Sequence, residues 1–206
     1  IMTHGDNNGL VLPPHVAPIQ VIIVPVAQHK EGVLEKAGEL YDTLKAAGIR
    51  VKMDDSDNSL GWKCAQWEMK GVPVRLEIGP RDMENNQCVA VRRDNREKVT
   101  ISIDELAASV SQVLEQVQQG LFDKAKKNLD EHTKECETLE DVKTFIETEG
   151  GFAKTKWCGD LQCELDMKEK AGMTSRCIPF QQEHLSDVCP ICGKKAEKMV
   201  YWGVAY

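Results

Sequence analysis

The chain has 206 residues, of which 41% are hydrophobic and 29% are charged. This is the composition of a folded globular protein and not of a disordered one. No run of 18 apolar residues occurs, so the sequence predicts no transmembrane helix. The net charge of −7 argues against a broad nucleic-acid-binding surface. Residues 19–103 are nevertheless neutral, with 13 basic and 13 acidic side chains, so we expect any phosphate-binding face in this first half.

The start of the chain, Ile1-Met2-Thr3-His4, shows neither the charged region nor the apolar core of a signal peptide. We therefore expect a cytoplasmic protein whose solitary cysteines are reduced, and a piece of something longer. The eight cysteines also allow a disulfide framework, because their number is even. Their spacing, described below, favours a metal site instead.

The first half has the pattern of an α/β domain. Residues 1–18 contain several glycines and prolines and predict a linker at the end of a preceding domain. A β-branched run at 19–26 predicts a buried central strand, and the apolar residues up to Leu44 recur at helical spacing. Further strands are expected at 49–53, 72–78, 89–91 and 99–103, with helices at 60–67 and from Asp104 to Leu121. The order βαβαβββα predicts a mixed five-stranded sheet flanked by helices, as a domain spanning 19–120.

The second half, residues 121–206, predicts a small α+β domain. Residues 123–150 are rich in Lys, Glu and Asp and are expected to be helical, with Thr138 as a cap within them. The pair Gly150-Gly151 ends this part. Short strands and loops around cysteines are expected to follow, up to a final segment at 199–206.

Four cysteines in this second domain have the spacing of a zinc site. Cys158 and Cys163 form one pair, and Cys189 and Cys192 form a second pair 25 residues later. Zn²⁺ takes four thiolates at tetrahedral geometry, and each close pair supplies two of them with little loop entropy. Because four thiolates close the coordination shell, the predicted zinc is structural and not catalytic. The alternative is two buried or incidental cysteine pairs without a metal.

A second group of residues carries arginines on neighbouring predicted strands. The segment from Gly71 to Asp82 reads GVPVRLEIGPRD, and VRRD follows at 91–94. Arginine side chains read guanine edges and hold phosphates, and carboxylates accept hydrogen bonds from base amino groups. A mixed-charge surface suits unpaired bases better than a duplex. The alternative is a salt-bridged solvent face.

Signatures of common catalytic sites are absent from these 206 residues. The sequence contains no Gly-x-Gly-x-x-Gly, no phosphate-binding Walker loop, no Gly-x-Ser-x-Gly and no His-Glu-x-x-His. A small α/β enzyme with Cys64 or Cys88 as its nucleophile is disfavoured, because no histidine is near either one in sequence.

The motifs together resemble the carboxyl-terminal part of one family. The opening segment from Thr3 to Pro18, THGDNNGLVLPPHVAP, resembles the exit from the catalytic domain of prolyl-tRNA synthetase. The segments GVPVRLEIGPRD and VRRD resemble the anticodon-binding domain of that family. The four-cysteine domain and the terminal Tyr206 resemble its eukaryotic and archaeal-type branch. The three class II catalytic motifs of the family are not among these residues.

The resemblance implies a fragment of an enzyme that joins proline to tRNA(Pro) with ATP and Mg, as a homodimer, with one structural zinc per chain. The fragment itself is expected to be inactive and to bind neither membrane nor DNA. Proline tRNAs share two adjacent anticodon guanines, and strand alternation assigns their recognition to one sheet face carrying Arg75, Glu77, Arg81, Arg92 and Arg93. The family pattern directs the carboxylate of Tyr206 toward the active site. A free-standing RNA-binding or scaffold module with a zinc ribbon is the alternative function.

Overall fold

The computed structural model describes residues 2–205, which divide into two compact units, the first ending at Ala125 and the second beginning at Lys126. Fifteen helices and strands are numbered here in chain order. They are β1 Val21–Pro25, α1 Val33–Ala46, β2 Val51–Met53, α2 Leu60–Met69, β3 Val74–Ile78, α3 Pro80–Glu84, β4 Gln87–Arg92, β5 Lys98–Ser102, α4 Leu106–Glu131, β6 Thr133–Glu135, α5 Leu139–Thr148, β7 Phe152–Trp157, α6 Leu161–Ala171, β8 Met173–Cys177 and β9 Lys198–Val204.

The first unit contains a five-stranded mixed sheet in the order β2-β1-β3-β4-β5. Strand β1 is parallel to both β2 and β3, while β4 and β5 add in antiparallel fashion. All five residues of β1 are buried, as expected for a central strand covered on both faces. The predicted mixed five-stranded sheet flanked by helices is confirmed.

Each face of this sheet has its own apolar core. On one face, which we call the α1/α4 face, residues such as Leu76 and Ala90 pack against the apolar stripes of α1 and α4. On the other face, the α2 face, Ile22 and Val24 pack against Trp67 of α2. Ser59 caps the start of helix α2, because its hydroxyl accepts a hydrogen bond from the Trp62 backbone amide.

A short helix, α3, was not predicted from the sequence. The dipeptide Gly79-Pro80 follows β3, and Pro80 is the first residue of α3. Proline suits this position because the first helical N–H has no partner within the helix. The Asp82 carboxylate accepts a hydrogen bond from the Gly79 backbone amide at 2.9 Å and so caps the helix.

The second unit is built on a four-stranded sheet in the order β6-β7-β9-β8. Strand β7 pairs with β6 in parallel and with β9 in antiparallel orientation. Phe145, Met167 and Trp202 are fully buried and lie in the same core, which joins α5 and α6 to the sheet. The predicted small α+β domain is confirmed.

Three elements of this unit differ from the sequence prediction. Helix α4 continues to Glu131, and the short strand β6 then interrupts the region 123–150 that was expected to be helical. Helix α6 spans residues that were expected to form short strands and loops. Only Cys163 and Met167 of α6 are buried, so its apolar pattern is too sparse to show a helical period.

Candidate functional site

The four predicted zinc ligands meet at one point in the second unit. The Sγ atoms of Cys158, Cys163, Cys189 and Cys192 all lie within 4.8 Å of one another. The Cys158 Sγ is 3.6 Å from that of Cys163 and 3.7 Å from that of Cys192. No disulfide joins any of them. The fold thus brings together the sulfurs of Cys158 and Cys192, which lie 34 positions apart in the sequence.

Local structure explains how each cysteine pair is held. The first pair straddles the start of α6, where the Asp160 carboxylate caps the helix by accepting from the Gln162 backbone amide at 3.0 Å. The second pair lies in a tight turn, in which the Cys189 amide donates to the Lys194 carbonyl at 2.8 Å. This turn presents both of its sulfurs on the same side.

The donor set fits a single zinc ion. Zinc–sulfur bonds of about 2.3 Å in a tetrahedron place the sulfurs about 3.8 Å apart, close to the separations of the Cys158 sulfur from those of Cys163 and Cys192. Burial, together with the neighbouring thiols, raises the pKa of Cys163. The pKa of Cys192 is lowered, chiefly because the backbone amide of Lys194 donates to its sulfur. Four crowded thiols can all lose their protons only when a cation compensates the charge, so this arrangement suits a metal.

The two lysines that follow the second cysteine pair form ion pairs with carboxylates. The Lys194 Nζ lies 3.8 Å from an Asp160 carboxylate oxygen, and the Lys195 Nζ lies 2.9 Å from a Glu197 carboxylate oxygen.

In the first unit, two of the predicted anticodon residues share the α2 face. Arg75 and Glu77 lie two positions apart on β3, and the Arg75 Nε donates to the Glu77 carboxylate at 2.9 Å. Both side chains are less than a fifth exposed. Val89 and Val91 of β4 lie beside them on the same face, because paired residues of antiparallel strands point the same way.

Arg81 and Arg92 do not share this face. Arg92 pairs in register with Val74, so its side chain points to the α1/α4 face. There it donates to Asp94 at 2.8 Å and to the Gln116 carbonyl of α4 at 3.3 Å, and the Asp94 hydrogen bond raises its pKa. Arg81 lies on α3 and not on a strand. The five predicted residues therefore do not share a single sheet face. Side chains alternate along a strand, so Arg92 cannot share a face with the neighbouring Arg93, and Arg81 lies outside the sheet.

Arg93 forms a clamp on the segment that precedes β1. Its two terminal nitrogens donate to the two carboxylate oxygens of Asp6 at 2.8 and 2.7 Å, and its Nε donates to the Glu68 carbonyl at 3.0 Å. The side chain is only 3% exposed. Hydrogen bonds from Arg93, and from the Asn8 amide, hold the pKa of Asp6 well below its usual range. This arginine is thus committed to a structural contact.

A cavity of about 270 Å³ opens on the α2 face beside these residues. Its lining includes Arg75 and Arg93, which the sequence singled out, and also Glu68 and Arg96. The Arg96 Nη2 lies 3.1 Å from a Glu68 carboxylate oxygen. Neither Glu68 nor Arg96 is among the site residues predicted from the sequence. No spacing rule could have joined them, because Glu68 lies on α2 and Arg96 in the turn between β4 and β5.

Each of the two units matches a known protein family. The family described as "Anticodon binding domain" matches residues 20–113, and the family described as "Prolyl-tRNA synthetase, C-terminal" matches residues 139–206. The chain is 54% identical over its whole length to a proline–tRNA ligase of Clostridium novyi and 53% identical to that of Lachnoclostridium phytofermentans. It spans 43% of the length of each of these curated relatives.

A solved structure shows the same architecture. The prolyl-tRNA synthetase of Cryptosporidium parvum, complexed with L-proline and AMP, superposes on the whole of this chain with a TM-score of 0.93. The two are 40% identical, and the match covers 44% of that chain.

The sheet, the cysteine cluster and these matches define an aminoacyl-tRNA synthetase anticodon-binding domain followed by a cysteine-rich domain. Within that class, the chain belongs to the prolyl-tRNA synthetase family. It corresponds to the carboxyl-terminal portion, with the anticodon-binding domain first and the C-terminal zinc domain second. The resemblance stated from the sequence is confirmed, and the catalytic domain of the relatives is not contained in these 206 residues.

Two further expectations concern the carboxyl terminus and membrane-spanning helices. Tyr206, whose carboxylate the family pattern directs toward the active site, lies outside the described residues. Within residues 2–205, no helix is both long enough and apolar enough to cross a membrane.

Proposed function

We propose that this chain is the tRNA-reading part of an enzyme that joins proline to tRNA(Pro) with ATP and Mg. The single observation that carries the proposal is the match of each unit to its own synthetase domain, in the same order along one chain. In this proposal the first unit binds the anticodon arm, while proline and ATP bind in the catalytic domain of a cytoplasmic, homodimeric full-length protein.

Arg75 and Glu77 support a role in base recognition within the first unit. They form an adjacent guanidinium–carboxylate pair on a sheet face that α2 covers only in part. Such a pair offers donors and acceptors side by side, which is the chemistry that base edges require. Arg93 contributes by holding the segment around Asp6, and Arg92 by holding the turn at Asp94. The exposed Arg81 contacts the phosphate backbone.

We further propose that the four cysteines of the second unit hold one structural zinc ion. Zinc would join α6 to the turn at Cys189, two parts of the chain that also meet in a small apolar cluster. Elemental analysis of purified protein should then give about one zinc per chain, because four thiolates bind a single ion. Replacing both Cys189 and Cys192 with Ser should remove it, whereas replacing the exposed Cys177 should not. Four free, metal-free thiols in the purified protein would contradict this proposal.

Aminoacylation tests the function itself. The full-length protein should attach labelled proline to a tRNA(Pro) transcript when ATP and Mg are present. The isolated chain of 206 residues should show no proline-dependent exchange of pyrophosphate into ATP, because the arginines that neutralise ATP phosphates in this class are missing from it. Failure of the full-length protein to charge proline, or exchange activity in the isolated chain, would overturn the proposal.

A further inference from the structure

A second cavity of the first unit, with a volume of about 330 Å³, lies at the carboxyl end of β1. Its lining includes Pro25, Ala27 and Gln28 from the end of that strand and the residues after it, and Leu60 and Lys63 from the start of α2. Strand β1 lies between β2 and β3, and the helices that follow β1 and β2 cover opposite faces of the sheet. Ligands of open α/β sheets commonly bind where the connections diverge in this way, outside the carboxyl ends of the strands.

The floor of this cavity, which we call the β1-end cavity, carries a buried positive charge. Lys63 is only 2% exposed. Its Nζ donates to the Gln28 side-chain oxygen at 2.8 Å and to the Asp54 backbone carbonyl at 3.0 Å. Both acceptors are neutral, and an ammonium group has three donors, so these two hydrogen bonds leave one donor for a further partner. Burial of an ammonium group is unfavourable unless an opposite charge compensates it, which points to an anion at this place.

The two acidic side chains around Lys63 do not supply that charge by direct contact. Asp54 offers Lys63 its backbone carbonyl, while its carboxylate accepts from the Ser56 hydroxyl and the Trp67 indole N–H, each at 2.6 Å. Asp57 lines the cavity from its exposed rim, where its charge is surrounded by water. A carboxylate in that position repels a bound anion, but only weakly.

The amino end of α2 adds hydrogen-bond donors to the same cavity. This helix has ten residues, and its first residue, Leu60, lines the cavity. The first backbone amides of a helix have no partner within it, and the Ser59 hydroxyl accepts only from that of Trp62. The helix dipole also places a partial positive charge at this end. Free amides and a positive dipole end favour an anion, and a phosphate group above all.

From this geometry we propose that the β1-end cavity binds a phosphate group, with the Lys63 ammonium and the first-turn amides of α2 as its donors. Gln28 is the residue that positions Lys63, because its amide nitrogen is itself held by the carbonyls of Asp55 and Ser56 at 3.2 and 3.1 Å. The proposal rests on the proposed function, which makes the tRNA backbone the source of the phosphate; a free phosphate ion is the other source of the same chemistry. The site shares no lining residue with the cavity on the α2 face, and it carries no information on base sequence.

The salt dependence of tRNA(Pro) binding to the full-length protein tests the site. Lys63→Gln should reduce the slope of log affinity against log salt concentration by about 0.7 to 0.9, the value for one phosphate contact. At about 0.1 M salt this corresponds to binding weaker by about five- to eightfold. The loss should be the same for tRNAs with altered anticodon guanines. Lys45→Gln, at an exposed position in the last turn of α1, is the matched control and should leave the slope unchanged.

Asp57 gives a second variant with the opposite sign. Asp57→Asn removes a repelling charge from the rim, so it should strengthen tRNA binding by about two- to threefold at low salt, with a smaller gain at high salt. Asp42→Asn, which removes an exposed charge from α1, should not have this effect. Because Asp57 is exposed, this variant tests the site even if Lys63→Gln disturbs folding. Unchanged or weaker binding by Asp57→Asn would contradict the proposal.

Inorganic phosphate distinguishes the two sources of the anion. At matched ionic strength, replacing chloride with phosphate should raise the thermal midpoint of the wild-type protein more than that of Lys63→Gln, because any effect on the catalytic domain is common to both. If only this difference is found, the site takes a free anion and its assignment to the tRNA backbone is wrong. If Lys63→Gln changes neither the salt slope nor the phosphate effect, the phosphate site is overturned.

Failure of the proposed function would look different. In that case the wild-type protein would bind tRNA(Pro) and tRNAs with altered anticodon guanines equally tightly, whatever Lys63→Gln does to the salt slope.

Discussion

Gly71 provides a direct test of how the segment before β1 is held against α2. Gly71 follows the last residues of α2 with a φ of 72°. A Cβ at this position would lie 2.6 Å from the Leu10 Cβ and 2.7 Å from the Leu10 carbonyl carbon. Gly48 has the same position after α1 and a φ of 80°, but a Cβ there would meet nothing within 4 Å. The two glycines therefore differ in contact and not in backbone conformation.

The expected magnitudes follow from this difference. Gly48→Ala should cost about 1 kcal/mol, the price of a left-handed conformation for alanine. Gly71→Ala should incur the same cost and also displace the segment at Leu10. Two backbone hydrogen bonds would be lost, from the Leu10 amide to Met69 at 3.0 Å and from the Leu12 amide to Gly71 at 3.2 Å. At about 1 kcal/mol each, they bring the total to about 3 kcal/mol.

Urea denaturation of the two variants in the same background measures this difference. The free energy of unfolding should be about 2 kcal/mol lower for Gly71→Ala than for Gly48→Ala, with similar dependence on urea concentration. The thermal midpoints should differ by several degrees in the same direction. Equal losses in the two variants would refute the reasoning, because they would show that the contact with Leu10 contributes nothing.

Two further predictions concern the ends of the chain. Because the pKa of Asp6 is held below its usual range by Arg93, the stability that this pair adds is present above the unfolded-state pKa of about 3.9 and is lost as the pH falls below it. Asp6→Asn should therefore reduce the fall in the free energy of unfolding between about pH 5 and pH 3, as measured by urea denaturation. Asp42→Asn, at an exposed position, should leave this fall as it is in the wild-type protein. The same fall in the wild type and both variants would contradict the clamp. Deletion of Tyr206 alone from the full-length protein should lower proline activation while zinc is retained, and unchanged activation would reject a role for its carboxylate.

Strong periodic patterns made most of the first unit predictable. The β-branched run of β1 reflects burial on both faces of the sheet, while the alternation in β3 and the stripe of α4 reflect burial of one face. Helices α3 and α6 could not be predicted in the same way. The first is only one turn long and has no buried residues, and the second buries a cysteine and a methionine whose pattern looked like part of a metal loop.

The two candidate sites also differ in how far the sequence predicts them. The cysteine cluster was predictable because a tetrahedral metal imposes its own spacing on the chain, and the four sulfurs meet as expected. The pocket on the α2 face was only partly predictable. Arg75 was identified from strand alternation, but Glu68 and Arg96 become neighbours only when α2 packs on the sheet and the β4–β5 turn folds over it. Such contacts depend on tertiary packing, which residue patterns do not encode locally.

The central claim, that this chain reads the anticodon of a proline tRNA, is tested most directly by one binding measurement. The affinity of the full-length protein for tRNA(Pro) is compared with its affinity for the same tRNA with both anticodon guanines changed to adenine, at one moderate salt concentration. The account predicts weaker binding of the changed tRNA by at least about tenfold, since each good base contact contributes about 1–3 kcal/mol of discrimination. Equal affinities would contradict it, because only sequence-independent attraction to phosphates would then remain.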